Sequence, residues 1–282
     1  MPELADAHIH LFERGYAGSF TARPGVTVDE PACFDSLVQE HKLQAALVVG
    51  YQDKDSRCNN EFLAAINGRH DWLFPVAHHD FTQAMSVDGL AAWHSQKFCG
   101  VSLYVFGDEN TAALAAIPTE CWDWLEHHNW LISVNSKGDD WGAWQPILGQ
   151  FPQLRVLISH LGLPPKVALP VPEEAARAAM QPVLDLAAFA GVHVKLSGFY
   201  AATDPGHDYP HRAAWPYVQA LVDSYTTDRL LWASDFSPCL DWLSYPQTLG
   251  VFGHMPFLDT ADIERITGEN LLNLLNLLQA VG

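Results

Sequence analysis

Eight short apolar runs, each followed by a longer amphipathic stretch, limit what this chain can fold into. The runs are LADAHIHLF from Leu4, AALVVG from Ala45, LFPVAHHD from Leu73, GVSLYVF from Gly100, WLISVNS from Trp130, RVLISHLG from Arg155, VHVKLSGFY from Val192 and LLWASDFS from Leu230. Between them lie helical-period segments such as PACFDSLVQEHKL, NEFLAAINGRH, VDGLAAWHSQK, ECWDWLEHH, GAWQPILGQF, PEEAARAAMQPVLDLAAFAG and HRAAWPYVQALVDSY. Strands that alternate with helices read as an α/β fold with a parallel sheet, because parallel neighbours need a crossover long enough to return to the starting end. Eight units without a ninth strand favour a closed (β/α)8 TIM barrel over an open doubly wound sheet. The first run also leads into HLFERGYAG, where a dinucleotide-binding sheet would need its glycine-rich turn. Such a barrel takes about 250 residues, so the 282 residues here predict a single domain over 1–282. TADIERITGEN and LLNLLNLLQ are extra terminal helices, the second too short for a coiled coil. LGLPPKVALPVPEE is a long loop after the sixth strand.

Bulk properties exclude several functions. Fifteen Lys and Arg against 33 Asp and Glu give a formal net charge of −18, which repels nucleic-acid phosphates and anionic lipid. Neither nucleic acid nor membrane is an expected partner; a small-molecule substrate is, and homo-oligomer formation stays open. The five cysteines are too sparse and odd in number for a disulfide framework. The N-terminus leads straight into the first strand without a basic, then apolar, leader, and these features together predict a cytoplasmic location.

Chemistry first shows in Asp6-Ala7-His8-Ile9-His10. Regular strand alternation would place Asp6, His8 and His10 on one face and Ala7, Ile9 and Leu11 on the other. In a barrel the C-terminal ends of all strands meet at one mouth. The first strand brings His8 and His10 there, the fifth Asn135, the sixth His160 and the eighth Asp235. Closure makes the eighth strand a neighbour of the first, so Asp235 is expected beside the two histidines.

DAHIHLF, SHLG after the sixth strand, VKLSGFY on the seventh and WASDFSP on the eighth resemble, in order and through nearly the whole chain, the amidohydrolase superfamily. The resemblance is to its amidohydrolase 2 branch, which holds the 2-pyrone-4,6-dicarboxylate and sugar-acid lactonases. It implies a hydrolytic site at the mouth and maps the family's functional positions to His8, His10, His160 and Asp235. Metal-binding members also carry a fifth-strand histidine, where this chain has Asn135; some members of the lactonase branch work without an ion.

Two mechanisms stay open. With a divalent metal, zinc being the first choice, His8, His10 and Asp235 would be ligands and the ion would activate water. Without one, Asp235 would act as general base while His8, His10 and His160 stabilise the developing oxyanion. Either suits a small lactone or related ester. Substrate contacts are expected from Arg57, His79, Tyr104, Asn135, Lys137 and Tyr200, with Tyr51, His78, His207 and Arg212 also close after strands. Arg57, Lys137 and Arg212 together would bind a carboxylate, which points to a carboxylated or sugar-acid lactone. Of His78 and His79 one should face inward and the other pack. Lys195 reads as a structural lysine paired with a carboxylate, and Trp141 and Trp215 as lid residues. Alternatives on the same fold are a metal-dependent non-oxidative decarboxylase and a barrel that only binds a small molecule.

Overall fold

The computed structural model describes residues 3–16, 27–52 and 58–279. Its eight strands are β1 (Leu4–Ile9), β2 (Leu43–Val49), β3 (Leu73–His78), β4 (Gly100–Val105), β5 (Leu131–Ser136), β6 (Arg155–Ile158), β7 (Val192–Leu196) and β8 (Leu230–Trp232). Each pairs in parallel with the next in chain order. The ring closes just beyond β8, where Ile9 bridges Phe236 and the Asp235 amide donates to His8 O at 2.9 Å. Helices cover the outside, as the alternation requires. Two of them have little sequence signal: 107–115, whose one buried residue is Leu114, and 245–250, which buries Tyr245 and Thr248.

The core has two layers. Aliphatic and aromatic residues between strands and helices form the larger one, including Ile9, Leu11, Val48, Leu103, Val134, Trp144 and Val194. A smaller inner cluster of Ala5, Ala7, Ala45, Leu47, Val76, Leu131, Leu157, Leu231 and Ala233 fills the lower barrel, and Leu271, Leu274 and Leu275 of the helix 270–279 complete it. The leucine-rich C-terminal segment therefore plugs the end of the barrel opposite the mouth. Gly268, in the π-helical segment 265–269 that runs into that helix, sits so close to the start of β1 that a Cβ there would lie 1.6 Å from Glu3 O.

β1 departs from regular alternation. Its pairing with β2 shifts register between Asp6 and Ile9, a bulge that changes which face each side chain takes. Ala5 and Ala7 point into the inner cluster, Ile9 and Leu11 into the outer one, so the predicted single apolar face is split. Asp6 is not on the face of His8 and His10. Its carboxylate accepts from Ser234 N at 2.9 Å, His8 N at 3.2 Å and Tyr245 Oη at 3.1 Å. It pins the β1 bulge to the β8 end, although burial pushes its pKa up to about 6.

Candidate active site

The candidate site side chains sit at or just past strand ends, where the backbone leaves the ladder. β6 ends at Ile158 and β8 at Trp232, and the next two residues to matter, His160 and Asp235, take left-handed backbone angles with φ of 54° and 59°. Those conformations are uncommon for residues with a Cβ, and here they turn an imidazole and a carboxylate toward His8 and His10. His8 Nε2 lies 3.1 Å from His10 Nε2, and Asp235 Oδ1 is 3.8 and 3.7 Å from those two nitrogens. The His160 ring centre is 4.9 Å from that of His8. All four side chains are buried.

Each has a second partner that fixes its orientation. His10 Nδ1 meets Val49 O at 2.8 Å, and His160 Nδ1 meets Ser197 Oγ at 2.9 Å. Tyr200 donates to Asp235 Oδ2, leaving Oδ1 toward the histidines. Lys195, fully buried inside the barrel, places Nζ 3.1 Å from His8 Nδ1 and 2.7 Å from Ser133 Oγ, while Ser159 Oγ approaches the same His8 nitrogen at 3.4 Å. Glu30 joins the two loops that carry the site: it accepts from Phe12 N at 2.7 Å, Tyr16 N at 2.8 Å and Ser237 Oγ at 2.7 Å. Phe12 follows His10 by two residues and Ser237 follows Asp235 by two.

Burial sets the charges. It holds His8 well below the ordinary histidine range, with Lys195 adding to the effect, lowers His10 against the pull of Asp235, and brings His160 down to about 3. The rings are neutral near pH 7, so their approach to Asp235 is not an ion pair. Asp235 is itself raised by burial, opposed by His10, the Tyr200 hydrogen bond and Lys195. Lys195 falls to about 7, burial outweighing the carboxylates of Asp235 and Asp6.

Several predicted substrate contacts take other places. His78, not His79, points inward beside Tyr104, with ring centres 5.4 Å apart and Nδ1 unpartnered among the described residues, while His79 packs on Phe81 and Trp93. The reason is strand phase: Val76 lies in the inner cluster, so His78 shares its face. Asn135, two residues after the inward Ser133, is half-buried, and its buried Oδ1 has no partner among the described residues. Tyr104, its neighbour across β4 and β5, has its hydroxyl pKa raised by burial and by Asp235. Tyr51 lies against His10. Lys137 is exposed and lines a separate cavity of about 570 Å³ with Asp139, Trp141, Leu163 and Met180. Arg212 is exposed over Trp215, and His207 is exposed. Arg57 lies outside the described residues. Tyr200 is committed to Asp235. Lys195 bonds an imidazole and a hydroxyl instead of a carboxylate, and Trp141 is no lid: it is fully buried and donates to Gly162 O at 2.9 Å. Glu30, Ser197 and the Lys195 contact escaped sequence reading, which shows side-chain type and spacing but not cross-barrel partners.

Among the described residues, His8, His10 and Asp235 form the one group of three or more His, Cys, Asp or Glu side chains placed to hold a metal ion. Tetrahedral zinc ligands stand roughly 3.4 Å from one another, and the three donor separations here, 3.1, 3.7 and 3.8 Å, bracket that distance. The His10 Nδ1 bond to a carbonyl is also what a ligating imidazole makes. The residues fit an ion.

Comparison with known proteins agrees with the fold. Residues 5–277 match the sequence profile of the amidohydrolase family. Over 87 residues the chain is 37% identical to the L-fucono-1,5-lactonase of Burkholderia ambifaria, a match over 31% of this chain and 28% of that relative's length. A Burkholderia multivorans amidohydrolase solved with bound zinc superposes with a TM-score of 0.77 at 17% identity, covering 97% of this chain and 99% of that one. A probable 2-pyrone-4,6-dicarboxylic acid hydrolase from Acinetobacter baumannii, with citric acid bound, gives 0.73 at 21% identity over 97% and 99%. At these identities the structural likeness is one of fold.

Proposed function

The chain belongs to the amidohydrolase family, and from that premise we propose that it is a hydrolase that opens a small, hydroxylated lactone by attack of water assisted by Asp235. The observation that carries this reading is the convergence of a buried carboxylate, held by Tyr200 through one oxygen, with three neutral imidazoles at one barrel mouth.

Water held at Asp235 Oδ1 attacks the acyl carbon and gives its proton to the carboxylate, whose basicity burial raises. The carbonyl oxygen gains charge as the carbon becomes tetrahedral, imidazole N–H groups of His8 and His160 stabilise it, and its collapse breaks the ring C–O bond while Asp235 returns the proton to the departing alkoxide. General-base assistance supplies roughly 10²–10⁴ in rate and an oxyanion donor roughly 10²–10³, enough for an activated ester in a ring. His8, His10 and Asp235 would hold a divalent ion when one is bound, and the ion would supply Lewis acidity toward the same carbonyl.

A neutral polyol ring suits the mouth better than a dicarboxylate. Lys137 and Arg212, two of the basic residues proposed to clamp a carboxylate, are exposed, the first lining another cavity and the second lying over Trp215. In their place stand Asn135 Oδ1 and His78 Nδ1, both without a partner among the described residues, and the neighbouring Tyr104; amide oxygens, imidazole nitrogens and phenols pair with hydroxyls. The partial match to a sugar lactonase supports the same choice.

Proton release in weak buffer from a panel of sugar-acid 1,4- and 1,5-lactones and 2-pyrone-4,6-dicarboxylate tests the reading. The sugar lactones should be opened with kcat/KM about 100-fold or more above that for the pyrone, because buried hydrogen-bonding groups left unpaired discriminate strongly. Failure of every lactone to react faster than in buffer alone would reject it.

A further inference from the structure

We propose that Lys195, together with the Val49–His10 pair on the other side of the ring, holds the proton of His8 on Nε2, so that this imidazole serves the mouth as a hydrogen-bond donor and resists metal ligation until the Lys195 contact is given up. Lys195 is thus a positioning residue, acting on the reacting atoms through His8.

Val49 O can only accept, so His10, 2.8 Å away, carries its proton on Nδ1. Both rings are neutral, so His10 Nε2 is left with a lone pair. The 3.1 Å contact between His10 Nε2 and His8 Nε2 then needs a proton from His8. With that proton on Nε2, His8 Nδ1 is an acceptor, and Lys195 Nζ stands 3.1 Å from it. Ser159 Oγ is the longer contact to the same nitrogen at 3.4 Å and can donate as well. The chain runs without a break from Ser133 through Lys195, His8 and His10 to Val49. Its direction does not depend on the charge of Lys195, since ammonium and amine both have an N–H to offer.

A metal ion would need the opposite tautomer. Ligation through His8 Nε2 requires the lone pair there and the proton on Nδ1. That proton would face the N–H groups of Lys195 rather than a carbonyl or carboxylate, the partners that usually orient a ligating histidine. His10 meets that requirement and His8 does not. Occupying the site must therefore turn Lys195 away or make its nitrogen accept. The barrel interior is built to keep it where it is: Nζ is anchored on Ser133 Oγ at 2.7 Å and the side chain is fully buried.

This inference rests on reading His8, His10 and Asp235 as one site, but its tests need no substrate, so it can stand or fall apart from the lactonase assignment. The variant is Lys195→Met, which keeps the apolar stem and removes Nζ. Zinc affinity is measured at one fixed pH by competition with a chromogenic chelator, for wild type and variant. Ring protonation is read in the metal-free protein by long-range proton–nitrogen NMR of 15N-histidine. The expected results are Nε2–H at His8 in wild type, a move toward Nδ1–H in the variant, and zinc affinity raised about tenfold or more, the scale on which outer partners of metal ligands act. Loss of a nearby positive charge would also raise affinity, so the ring proton decides between the two causes. Nδ1–H at His8 in wild type overturns the proposal, as does an affinity within about threefold of wild type, short of the range such partners produce. If the variant does not fold, the wild-type ring spectrum decides alone.

Discussion

Replacing His160 with asparagine isolates the acid sensitivity that one buried imidazole gives the barrel. Asparagine tolerates the left-handed backbone at this position, φ 54°, better than most residues, and its side-chain end overlays the imidazole Nδ1 that meets Ser197 Oγ at 2.9 Å. The substitution keeps that bond and removes the titration. Burial lowers the His160 pKa from 6.5 to about 3, so the fold holds the neutral ring while the unfolded chain takes up a proton sooner. The stability tied to this ring is complete above pH 6.5 and is lost as pH falls toward 3. At pH 5 the loss relative to pH 8 is about 2 kcal/mol, from one and a half pH steps at about 1.4 kcal/mol each. Urea unfolding at pH 8 and pH 5 measures it. His78, His193 and His211, each brought to about 4 by burial, add to the acid loss in both proteins and cancel in the comparison. Wild type should lose about 2 kcal/mol more than His160→Asn between the two pH values; equal losses, within about 0.5 kcal/mol, would refute the buried neutral ring.

Gly268→Ala should lower the melting temperature by on the order of 10 °C, since a Cβ 1.6 Å from Glu3 O must displace backbone, at a cost of roughly 3 kcal/mol; an unchanged thermal melt would contradict it. Glu30→Ala orphans the Phe12 and Tyr16 amides and Ser237 Oγ and should cost roughly 3 kcal/mol in urea unfolding with a fall in kcat; unchanged values for both would show that this clamp holds nothing. Tyr200→Phe frees Asp235 Oδ2 and should reduce kcat about tenfold while KM stays within about threefold. A raised KM with kcat kept would return Tyr200 to substrate contact.

The barrel was legible because its cause is periodic: eight apolar runs, each with a helical crossover, leave few topologies, and all eight strands lie where the runs are. Asp235 beside His8 and His10 was legible for the same reason, since closure alone makes the last strand meet the first. What failed was local phase. The bulge in β1 put Asp6 behind the site, because a carboxylate two residues before His8 could accept its amide and that of Ser234. His78 and His79 are two neighbours that a slip of one residue exchanges, and only the position of Val76 in the inner cluster settles which is inside. Lys195 carries no local sign of its partners: Ser133 and His8 are 62 and 187 residues away. The basic residues near the mouth were judged by sequence distance from strand ends, which does not say where a loop turns; Lys137 turned to another cavity.

The most direct test of the account is Asp235→Asn assayed for lactone opening alongside a thermal melt. The amide keeps the size of the carboxylate and an oxygen for the Tyr200 hydroxyl but cannot take a proton from water. The account predicts a fall in kcat of between about 10² and 10⁴ with the barrel still folded. Activity within about tenfold of wild type in a folded variant would contradict it.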